Sequence, residues 1–153
     1  MQENQKETDQ PWDCTICIMY GWNTYKGDTE VIGNTVEEVI KIYEQLGKII
    51  YEATLSGDYR ANNKAGKKLV NIFKLFEKDE DFGKKCIDKL LESECVVVRT
   101  KAAAYCLALR YNDEYAISLL NDIANNDDNG IFGFNAKMLL EVWEKKGELK
   151  IYQ

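Results

Sequence analysis

The chain has 153 residues, of which 45% are hydrophobic and 30% charged, a composition typical of a soluble globular protein with a core of its own. It carries a net charge of −6 and contains no histidine. The negative charge argues against a nucleic-acid binder, which needs a basic face, and favours a basic protein partner. The lack of histidine removes the commonest general base and metal ligand, so we expect no enzymatic activity.

The first 34 residues are predicted to form a separate arm. Residues 1–11 are polar and lack the apolar core of a signal peptide. Residues 12–33 are rich in aromatic and β-favouring side chains and are interrupted by glycines, so they predict either short strands or an irregular arm packed on the body. Trp12 and Trp22 are candidate partner-binding residues, because exposed aromatic side chains often anchor protein interfaces.

From residue 35 onward the apolar residues recur at helical spacing. Thr35 and Glu38 predict a capping box, Gly57 a helix end, and Asp58 the cap of the next helix. The Asn- and Gly-rich stretch 125–133 predicts a loop, and the apolar tail at 149–152 is expected to pack back. The pattern predicts six helices, at 36–56, 59–77, 80–92, 96–110, 113–125 and 134–146.

These helices group into three antiparallel pairs that begin near residues 36, 79 and 112, about one HEAT-type repeat apart. Val98-Arg99 followed by three alanines at 102–104 is typical of the inner helix of such a repeat. We predict an all-α fold over residues 35–153, with three stacked helix pairs in a HEAT- or armadillo-like superhelix. A plain helical bundle is the alternative. Arg99 is expected to reach a carboxylate or helix-end carbonyls nearby.

The stretch from Gly130 to Trp143, followed by Gly147-Glu148-Leu149, resembles the end of a bacterial family catalogued as domain of unknown function twenty-nineteen. Val98-Arg99 with the alanines at 102–104, and the opening from Thr35 to Asp58, resemble it too. The resemblance covers residues 35–149. It implies a small HEAT-like helical protein without an assigned activity, and bacterial proteins of this kind often look like immunity partners encoded beside toxins.

The five cysteines predict neither a metal site nor a disulfide framework. Their number is odd, and three of them, at 86, 95 and 106, fall in or beside amphipathic helices. Cys14 and Cys17 form a C-x-x-C pair without the second pair or the histidines that a zinc site needs. The stretch 127–130 lacks the ligand ladder of a calcium loop. We expect no cofactor and a reducing cytoplasmic location.

The clustered carboxylates fit helix starts and a solvated loop better than a catalytic pair. Small size, acidity, a helical-repeat fold and the lack of a catalytic constellation predict a protein-interaction module, most concretely an immunity protein that binds and neutralises a bacterial toxin, as the resemblance also implies. A scaffold or adaptor is the alternative, followed by a nucleic-acid-processing enzyme of the HEAT-like type.

No membrane segment is predicted. The aromatic residues at 132, 134 and 143 are predicted to be core. The candidate partner-binding carboxylates are Asp113, Glu114, Glu141 and Glu144.

Overall fold

A computed structural model describes residues 35–152, so the predicted arm with Trp12, Trp22 and the C-x-x-C pair lies outside the described residues. The described part is all-helical, with six α-helices, one short 3₁₀ helix and no strand, which confirms the predicted all-α class. It divides into two compact units, residues 35–72 and residues 73–152. The HEAT-like repeat stays a prediction.

The first unit contains helix α1, Val36–Ser56, and the first part of helix α2, Tyr59–Lys78. The Thr35 hydroxyl accepts from the Glu38 backbone N–H at 3.1 Å, and the Glu38 carboxylate accepts from the Thr35 N–H at 3.3 Å, so the predicted capping box forms. Gly57 ends α1 with φ of +78°, a left-handed conformation that glycine adopts without strain. The Asp58 carboxylate then accepts from the Ala61 N–H at 3.1 Å.

The buried side of this unit is formed by residues at helical spacing on both helices. Across the turn, the Asn62 side-chain amide donates to the Thr54 hydroxyl at 2.8 Å. This hydrogen bond joins the end of α1 to the start of α2. The buried hydrophobic residues are Val39, Tyr43, Leu46, Ile50, Ala53, Ala65, Leu69 and Ile72.

The second unit begins inside α2, at Phe73, and adds four α-helices. Helix α4 packs against α3, α5 and α6. Its sequence is mostly valine, alanine and leucine, so it has no polar face and is buried on nearly every side. The helices are α3, Glu80–Leu90; α4, Val96–Leu109; α5, Asp113–Asn125; a 3₁₀ helix, Asp127–Asn129; and α6, Ile131–Lys146.

An aromatic cluster joins α2, α4 and the C-terminal tail within the second unit. The Phe73 ring lies 4.7 Å from the Tyr105 ring and 6.2 Å from the Tyr152 ring, measured between centroids. Tyr152 also donates from its hydroxyl to the Glu77 carboxylate at 2.6 Å, and Leu149 is buried. The predicted return of the C-terminal tail onto the helices is therefore confirmed.

Helix α6 begins at Ile131, three residues earlier than predicted, so the predicted loop is shorter. Gly130, at φ of +56°, provides the reversal that allows the helix to start there. Asn112, which directly precedes α5, makes no capping hydrogen bond with its side chain. Arg99 was predicted to reach a carboxylate or helix-end carbonyls, but it donates to the Ser93 carbonyl at 2.9 Å, in the turn beyond the end of α3.

Candidate functional site

Helices α5 and α6 form an antiparallel pair joined by a short turn. At the other end of the pair, Arg110 connects the start of α5 to the end of α6. Arg110, just before α5, lies over the Trp143 ring with its guanidinium carbon 4.8 Å from the centroid. The same guanidinium donates a hydrogen bond to the carbonyl of Gly147, where α6 ends. The backbone of Arg110 adopts the left-handed conformation, with φ of +58°, which is uncommon for a residue other than glycine. These contacts place the start of α5 beside the end of α6.

The four predicted carboxylates consequently lie at one end of this helix pair, which we call the open end. Asp113 and Glu114 occupy the first turn of α5, and Glu141 and Glu144 lie in the last two turns of α6. Glu114 and Glu144 are exposed, whereas Asp113 and Glu141 are half-buried.

Asp113 differs from the other three because it points partly inward. Its Oδ1 atom is buried and accepts no hydrogen bond from the described residues. The negative charge of Asp113 also contributes to the raised pKa of the Cys106 thiol, which is buried. Asp113 is therefore the least suited of the four to meet a partner directly.

Among the described residues, the negative charge is concentrated in this helix pair. Residues 113–148 contain eight carboxylates and three lysines, a net charge of −5, whereas residues 35–112 contain twelve carboxylates and fourteen basic residues, a net charge of +2. Residues 1–34 contribute −4 and residues 149–153 contribute +1 to the −6 of the whole chain, so the α5–α6 pair is the most negative part of the described residues. A ligand of opposite charge would be attracted to this pair before any other described part.

A second polar group, which the sequence did not reveal, lies between α3 and the start of α5. The Tyr111 hydroxyl donates to Asp88 Oδ1 at 2.8 Å, and the Lys84 amine lies 5.2 Å from the centre of the Tyr111 ring. The hydrogen bond to Asp88, with a smaller contribution from burial, raises the pKa of Tyr111 to about 12. Asp88 and Tyr111 are 23 positions apart, so no local pattern could have indicated the pair.

We expect Asp88→Ala to lower the pKa of Tyr111 from about 12 towards the ordinary tyrosine value of 10.0, because the charged acceptor is lost. The raised pKa favours the neutral phenol in the folded protein. Its stabilising effect is therefore complete below pH 10 and is lost as the pH rises towards 12. The measurement is an ultraviolet titration at alkaline pH, taken as the difference between each protein and its Tyr111→Phe counterpart.

The exposed carboxylate of Asp122 provides the control for this titration, and Asp122→Ala should leave the difference curve unchanged. An unchanged Tyr111 pKa in Asp88→Ala would show that the hydrogen bond does not control the titration.

The three described cysteines differ in exposure. Cys86, Cys95 and Cys106 are free thiols, and Cys86 and Cys106 are buried. Burial, assisted by the charges of Asp88 and Asp113, raises the pKa of the Cys106 thiol to about 12, so it stays protonated at neutral pH. Residues 35–152 contain no group of three or more carboxylate or cysteine side chains placed to hold a metal ion.

The three aromatic residues predicted as core differ in exposure. Phe132 is buried and Trp143 is half-buried, but Phe134 is exposed, so the prediction is wrong for Phe134. The inward face of α6 is already filled by Phe132, Gly133, Ala136 and Leu140, and the helical twist turns Phe134 outward. A helical projection of 131–142 does contain the signal, because Ile131, Phe134 and Met138 fall on one stripe.

No protein-family model, curated protein sequence or solved structure matches this chain. No helix among residues 35–152 is long and apolar enough to cross a bilayer.

Proposed function

We propose that this chain is a protein-binding module, an immunity protein that neutralises a basic bacterial toxin by covering it. The observation that carries the proposal is the open end of the α5–α6 pair, where Arg110 brings the start of one helix against the end of the other. Four carboxylates lie in the helix turns at this end, in the part of the chain that holds a net charge of −5.

Two physical features support a role in binding rather than turnover. Glu114 and Glu144 are exposed, so their charges are open to a partner, and the Cys106 thiol, whose pKa is raised by burial and by the charges of Asp88 and Asp113, stays protonated. Exposed charges at the edge of an interface mainly steer association, and a basic partner would be attracted from a distance comparable to the Debye length, about 8 Å at physiological salt.

The test begins with capture of the partner from the native host by cross-linking and its identification by mass spectrometry. Binding kinetics of the purified pair are then measured at two salt concentrations. We expect Glu141→Lys with Glu144→Lys to slow association by about tenfold at low salt and to weaken its salt dependence, while the dissociation rate changes less.

The matched control is Glu92→Lys with Glu94→Lys, two exposed carboxylates in the turn between α3 and α4. It changes the net charge by the same amount, so any difference between the two variants reports the location of the charge. Equal association rates in the two variants would remove the open end as the contact surface. A partner with no basic surface, or a measurable turnover by this chain alone, would contradict the proposed function.

A further inference from the structure

The other end of the α5–α6 pair, where the two helices are joined, carries three exposed aspartates, and the first basic residue that follows them in the chain is the exposed Lys137. Residues 111–136 contain five carboxylates and neither lysine nor arginine. Three of these carboxylates, Asp122, Asp127 and Asp128, are exposed in the last turns of α5 and in the 3₁₀ helix. At the open end, by contrast, Arg110, Lys145 and Lys146 lie close in sequence to the carboxylates.

Beside these aspartates α6 exposes two large apolar side chains. Ile131 is 46% exposed and Phe134 is 54% exposed. They are three positions apart and so share one face of the helix. The same stripe continues through the half-buried Met138 to the exposed Val142. Helix α6 thus has apolar residues on its buried face and on its outer face. An outward aromatic and aliphatic pair of this kind is typical of a binding anchor.

The turn that carries this surface is held in place from both sides. The Asn129 side chain donates to the Ile123 carbonyl at 2.9 Å, and the Asp128 N–H donates to the Asn126 side chain at 3.0 Å. Helices α5 and α6 also approach closely here, since a Cβ atom on Gly133 would lie 3.0 Å from the Ile123 carbonyl oxygen. A surface fixed in this way loses little conformational entropy when a ligand binds.

We propose that this surface, formed by Asp122, Asp127, Asp128, Ile131 and Phe134 and here called the turn surface, binds a basic amphipathic helix of a partner protein. The apolar side of that helix packs on Ile131 and Phe134, and its lysines and arginines lie opposite the three aspartates. The inference rests on the proposed function and names the anchor that supplies its affinity.

The charge pattern selects this occupant over two others. A symmetric contact between two copies of the chain through this surface would collect six aspartates in one interface, an excess of negative charge that disfavours it. A nucleic acid would bring phosphates against the same carboxylates. Only a ligand that combines positive charge with an apolar side satisfies both halves of the turn surface.

The probe is a synthetic 18-residue amphipathic helix with leucines on one face and lysines on the other, added to the full chain at low and at physiological salt. We expect saturable binding that weakens with salt. In the wild-type protein, the backbone amide resonances between residues 122 and 134 should shift on titration. A peptide with glutamates in place of the lysines should not bind. An absence of binding by the lysine peptide, or shifts confined to other helices, overturns the inference.

Two sets of variants test the two halves of the turn surface separately. Ile131→Ser with Phe134→Ser should weaken binding at least tenfold at both salt concentrations, whereas the matched pair Leu55→Ser with Tyr59→Ser, two exposed residues at the α1–α2 turn, should not. Replacing the three aspartates by asparagine should weaken binding at low salt and flatten its salt dependence, compared with Glu80→Gln, Glu92→Gln and Glu94→Gln as the charge-matched control. Equal effects in test and control variants contradict the turn surface.

Analytical ultracentrifugation of the protein alone tests whether the turn surface instead mediates self-association. A wild-type dimer that Ile131→Ser with Phe134→Ser converts to a monomer would assign the turn surface to self-association and overturn the inference. The failures of the two proposals are distinguishable. A basic partner whose association depends on Glu141 and Glu144, together with no peptide binding, removes only the turn surface. Peptide binding at the turn surface, together with a native partner that presents a basic helix but is not a toxin, removes only the immunity function.

Discussion

Replacing Phe73 by alanine is expected to lower the free energy of unfolding by about 3–5 kcal/mol. The Phe73 ring is 2% exposed and packs 4.7 Å from the ring of Tyr105 on α4. It also contacts Tyr152, so the substitution leaves a cavity and removes an aromatic contact that holds the C-terminal tail. Because domains of this size are stable by about 5–15 kcal/mol, the loss is a large fraction of the total. Urea denaturation followed by circular dichroism measures it.

The control for Phe73→Ala is Phe134→Ala, which replaces an exposed phenylalanine. The Phe134 ring is 54% exposed, and we expect its removal to change the free energy of unfolding by about 0.5 kcal/mol or less. A loss of more than about 2 kcal/mol in Phe134→Ala would place that ring in the core. A Phe73→Ala protein as stable as the wild type would contradict the aromatic cluster.

Replacing Gly83 by alanine is expected to destabilise the protein by about 1–3 kcal/mol, although alanine is the better helix former. Gly83 lies in α3, where it faces the end of α2 in the same unit. A Cβ atom there would lie 2.8 Å from the Cβ of Phe76 and 2.9 Å from its backbone carbonyl oxygen. Backbone atoms cannot rotate away as a flexible side chain can, so the two helices must move apart.

Gly66, in the middle of α2, is also a helical glycine, but alanine is expected to stabilise the protein at this position. A Cβ atom on Gly66 would meet no atom within 4 Å, so Gly66→Ala should stabilise the protein by about 0.5–1 kcal/mol through helix propensity alone. Thermal unfolding of the two variants should therefore shift in opposite directions. Two stabilised variants would show that α2 and α3 do not approach closely at Gly83.

Phe134 separates stability from binding in this protein. Its ring contributes little to folding because most of it is in solvent, but in the turn surface it is one of the two apolar anchors. We therefore expect variants at Phe134 to fold normally while they lose affinity for a basic amphipathic helix. Variants at Phe73 should show the opposite behaviour: they lower the free energy of unfolding, while the turn surface of the folded protein stays unchanged.

Local sequence was sufficient to predict most helix boundaries. The capping hydrogen bonds of Thr35, Asp58 and Asp79 each span only three positions, so the residues that make them are visible as a short motif. Gly57 and Gly147 end helices in the left-handed conformation for an equally local reason. The one helix start placed wrongly is that of α6, where buried Phe132 and Gly133 belong to the helix although the sequence around them resembles a loop.

The candidate site could be predicted in part. Its carboxylates are visible from composition, and the pairing of the last two helices from their short connection. Their meeting at one end depends on contacts of Arg110 with Trp143 and Gly147, and the second of these spans 37 positions. No periodicity in the sequence encodes a contact of that range.

The sequence by itself determined the all-α class, the helix caps and the excess of negative charge in the last helix pair, because these properties depend on neighbouring residues or on composition. Only the tertiary structure decided which side chains remain in solvent. Phe132 and Phe134 are two positions apart and equally apolar, yet one is buried and the other exposed, because α4 and α5 cover only one face of α6. The same packing joined Tyr111 to Asp88 and turned Asp113 inward, since such contacts arise only when distant segments are brought together.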